Sequence, residues 1–154
     1  MLHTLIQEQH LPLTLETAWA FFSDPRNLCH ITPAWLNFTI TCPPPDRMYS
    51  GQIVTYTVQP FPGVRTGWVT EITHVHEPHF FVDEQRLGPY SFWHHQHLFR
   101  SQEQGVLMQD IVNYALPLGP LGDIVHALVV KRRLQAIFAY RRHILEQKFP
   151  FSEP

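Results

Sequence analysis

Apolar and polar positions alternate through most of the chain between residues 2 and 116. This alternation predicts a first β-strand over residues 2–10, which Pro12 ends. Further strand-like runs follow, separated by turn-forming Pro, Gly and Asp residues. These runs are 37–42, 52–59, 67–76, 79–87, 90–101 and 105–116. Because most of the links between them are short, neighbouring strands should pair antiparallel.

Helical spacing replaces the alternation in two parts of the chain. Between the first two strands, apolar residues share one face of a helix over 15–22, for which Thr14 can act as the N-cap. A short second helix is predicted over 25–31, and Pro33 closes it. The last element is a long amphipathic helix over 121–149, which contains no Gly or Pro after Gly122.

The long helix changes character along its length. Leu134, Ile137, Phe138 and Leu145 recur at helical spacing, as expected for one apolar stripe. The first turns, by contrast, are apolar nearly all round, so we expect protein, a ligand or a partner to cover them. The complete order predicts an α+β helix-grip architecture, in which a curved antiparallel sheet wraps around the C-terminal helix. A cavity remains between them if the sheet curls without filling the gap.

Residues 79–100 form the most informative segment, a predicted hairpin around Gly88 and Pro89. Simple alternation places the rings of Trp93, His95, His97 and Phe99 on one face of its second strand. Such a face suits the wall of a cavity that holds a partly apolar molecule.

The register of this hairpin decides which side chains meet. A three-residue loop over 88–90 puts Asp83 opposite His95, whereas a two-residue loop puts Asp83 opposite His94. The first register is favoured because it gathers polar side chains instead of burying them apart. It also puts Gln85 opposite Trp93, and Asp110 on the next strand can then lie beside His97.

Composition restricts the class of protein further. The chain has 154 residues, which predicts a single domain over 1–154, and 13% of its residues are aromatic. A formal net charge of −2 argues against nucleic-acid binding driven by charge alone. Cys29 and Cys42 match no zinc pattern and indicate two reduced thiols in a cytoplasmic protein. We see no signal peptide and expect no stable membrane insertion.

Several motifs together resemble a known superfamily. They are residues 16–25 (ETAWAFFSDP), 83–85 with 88–90, Trp93, His95 and His97, Asp110 with Tyr114, and 116–122 (LPLGPLG). With the element order, they resemble the START-like or SRPBCC helix-grip proteins, which include polyketide cyclases, Bet v 1 allergens and lipid-transfer domains. The resemblance is to the bacterial single-domain cyclase/dehydrase-like branch. It implies a cavity between sheet and long helix that accepts an apolar or amphipathic small molecule.

Four side chains are candidates for chemistry: Asp83, His95, His97 and Asp110. They could form a structural hydrogen-bond network, orient the polar end of a ligand, or transfer protons during a cyclisation or dehydration. His95, His97 and Asp110 could also bind a metal, but His pairs two residues apart occur by chance in a chain with 11 His. We therefore expect neither a metal nor a cofactor.

The leading hypothesis is a module that binds a small hydrophobic ligand. The predicted ligand-binding residues are Trp68, Thr70, Gln85, Trp93, His95, His97, Phe99, Tyr114 and Leu128. One alternative is a cyclase/dehydratase-like enzyme that uses the four candidates. Another is a membrane- or protein-interaction domain that works through the apolar start of the last helix. The sequence also leaves open whether the protein forms a homodimer.

Overall fold

A computed structural model describes residues 1–151 as a seven-stranded antiparallel sheet with a long C-terminal helix. The strands are β1 His3–Leu11, β2 Thr39–Ile40, β3 Gln52–Phe61, β4 Val64–His76, β5 Phe80–Leu87, β6 Phe92–Gln102 and β7 Gly105–Ala115. The helical elements are α1 Leu15–Phe22, α2 Pro25–His30, a 3₁₀ turn Ala34–Leu36, α3 Pro120–Val125, a π-helical segment His126–Val130 and α4 Lys131–Lys148. The strands lie in the order β1-β7-β6-β5-β4-β3-β2.

This arrangement confirms the predicted α+β helix-grip fold. The first two helices and all the predicted strands are present, although only Thr39–Ile40 pairs as a strand within the predicted run 37–42. The 3₁₀ turn Ala34–Leu36 was not predicted. Three residues are too few to show a helical period, so sequence patterning gives no signal for such a turn.

Local chemistry explains where the early helices begin. The Thr14 hydroxyl accepts a hydrogen bond from the Thr17 backbone N–H at 3.2 Å and caps α1, as predicted. The Asp24 carboxylate accepts from the Arg26 backbone N–H at 2.9 Å, and Pro25 occupies the first position of α2. The first cap sets the start of α1, and the second lies in the turn that carries the chain from α1 into α2.

The prediction of one helix over 121–149 is right in its extent, since the helical region runs over Pro120–Lys148, but this region is not one uniform α-helix. The chain is helical over nearly the predicted range, but His126–Val130 adopts the wider π-helical turns between α3 and α4. A 3.6-residue period in the sequence cannot reveal this change, because the flanking turns keep their own period.

One end of the space between sheet and helices is filled with side chains. In this packed end, α1 lies against the sheet and Trp19 meets the rings of Phe81 and Phe99 edge-on. Leu145 of α4 and Leu11 of β1 are almost completely buried in the same cluster. Gly105 permits a close approach here, since a Cβ on it would lie 2.1 Å from the carbonyl oxygen of Leu11.

The first turns of the C-terminal helix were expected to be covered by protein, a ligand or a partner, and the chain itself leaves much of them exposed. Leu121, Ile124 and Leu128 are 66%, 57% and 65% exposed, so the described chain does not cover them. An element that is apolar all round presents more apolar surface than one sheet can bury. No helix among residues 1–151 is long and apolar enough to span a membrane.

Candidate ligand cavity and buried Asp–His cluster

A cavity of about 380 Å³ lies between the sheet and the C-terminal helix, beyond the packed end. Strands β3 to β6 form one wall, α3 and α4 with the segment between them form the opposite wall, and α2 with the 3₁₀ turn closes a side. Aromatic and aliphatic side chains make up most of the lining, and the aromatic ones come from both walls. The aromatic residues are Phe21, Phe22, Trp35, Phe38, Tyr56, Phe61, Trp68, Phe81, Tyr90, Trp93 and Phe138. The volume is in the range of small-molecule sites.

Polar side chains meet at the inner wall of this cavity, in the Asp–His cluster of Asp83, His95, His97 and Asp110. The strand register confirms the three-residue-loop prediction: Asp83 pairs with His95 between β5 and β6, and His97 pairs with Asp110 between β6 and β7. All four side chains therefore project from the concave face of the sheet.

Each imidazole of the cluster lies between the two carboxylates. For His95, Nδ1 is 3.3 Å from Asp83 Oδ2 and Nε2 is 2.8 Å from Asp110 Oδ1. For His97, Nε2 is 2.8 Å from Asp83 Oδ2 and Nδ1 is 3.1 Å from Asp110 Oδ1. The ring centroids of the two His are 3.8 Å apart.

Neighbouring side chains hold the cluster in place. The Trp93 indole N–H donates to Asp83 Oδ1 at 3.3 Å, and the Phe81 ring stacks on His97 with centroids 4.1 Å apart. Behind the cluster, Arg141 Nη1 of α4 lies 3.6 Å from Asp110 Oδ1. Asp83, His95 and His97 line the cavity, Asp110 lies on the opposite side toward β1, and Arg141 reaches both sides.

Burial and charge shift the ionisation of the cluster in opposite directions. Burial by itself raises the pKa of Asp83, but the charge and hydrogen bonds of His95 and His97 outweigh it and lower that pKa well below its usual range. The same balance lowers the pKa of Asp110, to which Arg141 also contributes. For His95, burial disfavours the charged ring, yet the two carboxylates raise its pKa to about 9.

The structure brings several of the predicted ligand-binding residues to the cavity wall. They are Trp68, Thr70, Trp93, His95 and His97. The Trp68 indole N–H donates to the Thr70 hydroxyl at 3.0 Å, which fixes the ring edge-on against Trp93.

Four other predicted ligand-binding residues lie away from the cavity wall. The Gln85 side chain exchanges hydrogen bonds with the backbone of Tyr90 and so closes the hairpin loop. Phe99 belongs to the packed end, and Tyr114 is buried beside Val112 in a second apolar cluster. Leu128 is largely exposed. Strand alternation identifies the concave face but not where along that face the filled part stops, so it could not separate these residues from the cavity wall.

Arg141 is the main residue that sequence reasoning missed. It is 8% exposed and shares the buried stripe of α4 with Leu134, Phe138 and Leu145. A signal was present, because a cation in a stripe of buried apolar positions requires a carboxylate partner. Arg133 was also missed; its guanidinium lies over the rings of Trp35 and Phe61 at the cavity.

Comparisons with known proteins give matches of structure only. No family model matches the chain, and neither does any curated protein sequence. TTHA0849 from Thermus thermophilus superposes with a TM-score of 0.71 at 14% identity, over 95% of this chain and 96% of that one. Ara h 8.0201 matches with a TM-score of 0.58 at 17% identity, over 96% and 99% of the two chains.

A third match involves a two-domain protein. It is the di-domain ARO/CYC StfQ from the steffimycin biosynthetic pathway, with a TM-score of 0.65 at 9% identity. The match covers 96% of this chain and 52% of that one. At these identities the comparisons speak for the fold alone: the chain shares its helix-grip architecture with these proteins.

Proposed function

We propose that this protein binds a small hydrophobic or amphipathic molecule in the cavity between the sheet and the C-terminal helix. The observation that carries the proposal is the cavity of about 380 Å³, whose walls are mainly aromatic and aliphatic. Burial of a ligand there removes apolar surface from water, which favours binding by roughly 25 cal/mol for each Å².

The polar end of the cavity suits an amphipathic ligand better than a plain hydrocarbon. Asp83, His95 and His97 reach the wall as one patch, while Trp68 and Trp93 flank the patch with ring edges. A ligand with an oxygen-bearing end and an apolar body suits both regions, since covering polar side chains with an apolar group removes them from water and gives them no hydrogen bond in return.

A titration with hydrophobic ligands tests the proposal. Trp68 and Trp93 line the cavity, so a bound ligand should change tryptophan emission and raise the melting temperature by mass action. Val54→Phe fills cavity space from β3, whereas Ile53→Phe adds the same ring on the exposed face of that strand. We expect the first variant to weaken binding and the second to bind like the wild type. Unchanged emission and melting temperature across a panel of ligands would contradict the proposal.

An enzyme of the cyclase or dehydratase kind is the second candidate. The observation that favours it is the position of the Asp–His cluster at the cavity wall, where His95 contacts two carboxylates within 3.3 Å. A ring held this way can exchange protons with a bound ligand. His95→Gln should then reduce turnover of a polyketide-like substrate by roughly 10²–10⁴-fold while ligand binding persists. Equal turnover in the variant and the wild type would exclude this role.

A further inference from the structure

The contacts within the Asp–His cluster demand more hydrogens than two neutral rings carry. Four N···O contacts between 2.8 and 3.3 Å join the two imidazoles to the two carboxylates. A neutral imidazole has one N–H and one lone pair, so two neutral rings can supply hydrogens to only two of the four contacts. The remaining two contacts would set a nitrogen lone pair against a carboxylate oxygen.

Hydrogen bonds alone resolve this shortage poorly. A second proton on His95 alone satisfies both contacts of that ring but leaves Nδ1 of His97 facing Asp110 without a hydrogen. A second proton on both rings would place two cations with centroids 3.8 Å apart beside Arg141. Even so, the buried Nδ1 of His97 has no well-directed hydrogen bond. A buried polar atom without a partner calls for a physical explanation, and an ion is one of the few available.

A metal ion resolves the shortage on the cavity side of the cluster. Asp83, His95 and His97 can each offer one ligand atom, and the three atoms lie within 4.8 Å of one another. Asp83 Oδ2 is 3.3 Å from His95 Nδ1 and 2.8 Å from His97 Nε2. Metal bonds of about 2.1 Å hold adjacent tetrahedral ligand atoms about 3.4 Å apart, so Asp83 and His97 must separate by about 0.6 Å, and the two ring nitrogens, which are at most 4.8 Å apart, must adjust to the same spacing.

On the side of the cluster away from the metal, Asp110 can hold the two metal-ligating imidazoles in place. Of the other ring nitrogens, Nε2 of His95 is hydrogen-bonded to Asp110 Oδ1 at 2.8 Å, and Nδ1 of His97 lies 3.1 Å from the same oxygen. With the metal on Nε2, a realigned His97 ring would donate from Nδ1 to Asp110, which would then fix both tautomers. Arg141 balances the charge of Asp110, and Trp93 binds the second oxygen of Asp83. Carboxylates and other acceptors in this supporting position are typical of histidine metal sites.

We infer that Asp83, His95 and His97 form a binding site for one divalent transition-metal ion, of the Zn²⁺ or Fe²⁺ class, at the wall of the cavity. Two imidazoles and one carboxylate are the donor set that these metals favour. Three protein ligands leave at least one coordination position open, and it faces the cavity, where a carbonyl or hydroxyl oxygen of a bound molecule can occupy it. The site goes beyond the proposed function, since apolar binding does not require it.

Zinc titration of untagged protein, stripped with a chelator and dialysed, tests the inference. Calorimetry and elemental analysis should give one Zn²⁺ for each chain, and Co²⁺ should produce visible absorption of low-symmetry coordination. Asp83→Asn and His97→Gln should each weaken Zn²⁺ binding by more than about 100-fold, because even supporting residues change metal affinity by 10–100-fold. Either variant suffices if the other does not fold.

The matched control is His94→Gln. His94 lies next to His95 on β6, but its ring stacks on Phe92 at the other face of the sheet. This variant should bind Zn²⁺ like the wild type. No stoichiometric binding, or equal binding by wild type and Asp83→Asn, would overturn the inference. Titration of chelator-treated protein with hydrophobic ligands is a separate measurement. A failure to bind Zn²⁺ would therefore contradict the metal site without contradicting the proposed function.

Discussion

The packed end and the cavity end of this molecule are built from the same sheet face and the same C-terminal helix, yet only one is filled. At the packed end, α1 inserts Trp19 and Phe22 against Phe99, and Leu145 is fully buried. At the cavity end, α2 and the 3₁₀ turn stand at the rim, and the facing helix turns leave Leu121 and Leu128 exposed. The difference shows that the packed end supplies the larger buried cluster, whereas the other end keeps an open cavity.

Truncation of one leucine at each end gives the largest expected contrast. Leu145→Ala removes a fully buried side chain and should lower the free energy of unfolding by about 2–5 kcal/mol. Leu128→Ala removes a side chain that is 65% exposed and should change it by less than about 0.5 kcal/mol. Urea denaturation of both variants measures the difference. Comparable losses would mean that the cavity end is also part of the stabilising core.

The Asp–His cluster lies between the two ends, and it should make the free energy of unfolding of chelator-treated protein depend on pH. The carboxylates of Asp83 and Asp110 raise the pKa of His95 from 6.5 to about 9. A raised pKa stabilises the fold fully below pH 6.5, and this stabilisation is lost as pH rises through 9. At about 1.4 kcal/mol for each pKa unit, up to about 3 kcal/mol should disappear between about pH 6 and about pH 9.5. Denaturation at both pH values checks this; the loss should be smaller in His95→Gln.

The cap of α1 should have the smallest effect of the three. Thr14→Ala removes the hydroxyl that accepts from the Thr17 N–H and should cost about 1 kcal/mol. Thr14→Ser keeps the oxygen and should stay close to the wild type. Because Thr14 lies at the start of α1, at the opposite end of that helix from the cavity-lining Phe21 and Phe22, the alanine variant should leave ligand affinity at the cavity end unchanged. A large loss of affinity would show that the two ends are coupled.

Sequence patterning was most successful where one physical constraint dominates. The register of the β5–β6 hairpin followed from the cost of burying Asp83 and His95 apart, and the structure pairs them as predicted. The long helix, the sheet and the α1 cap followed in the same way from periodicity and hydrogen bonding. Each of these features depends on residues that are close in sequence or related by simple alternation.

The composition of the site depends on distances that alternation does not encode. Phe99 and His97 share a strand face, but only His97 reaches the cavity, since α1 covers the position of Phe99. Arg141 comes to Asp110 only through the crossing of α4 over the sheet. The depth at which a helix crosses a sheet depends on the volumes of many side chains that are far apart in the sequence. A local sequence motif therefore cannot predict it.

The π-helical segment His126–Val130 sets the rotational phase between the two parts of the C-terminal helix. A π segment accommodates one more residue than the α-helix does over the same length, and one residue corresponds to about 100° of rotation. Side chains of α3 are therefore turned relative to the stripe that α4 presents to the sheet. A one-residue deletion within 126–130 would restore α geometry and redirect Leu121 and Ile124 without changing either side chain. Small insertions and deletions at this position thus offer a route by which the wall of the cavity can be altered while the packed end is preserved.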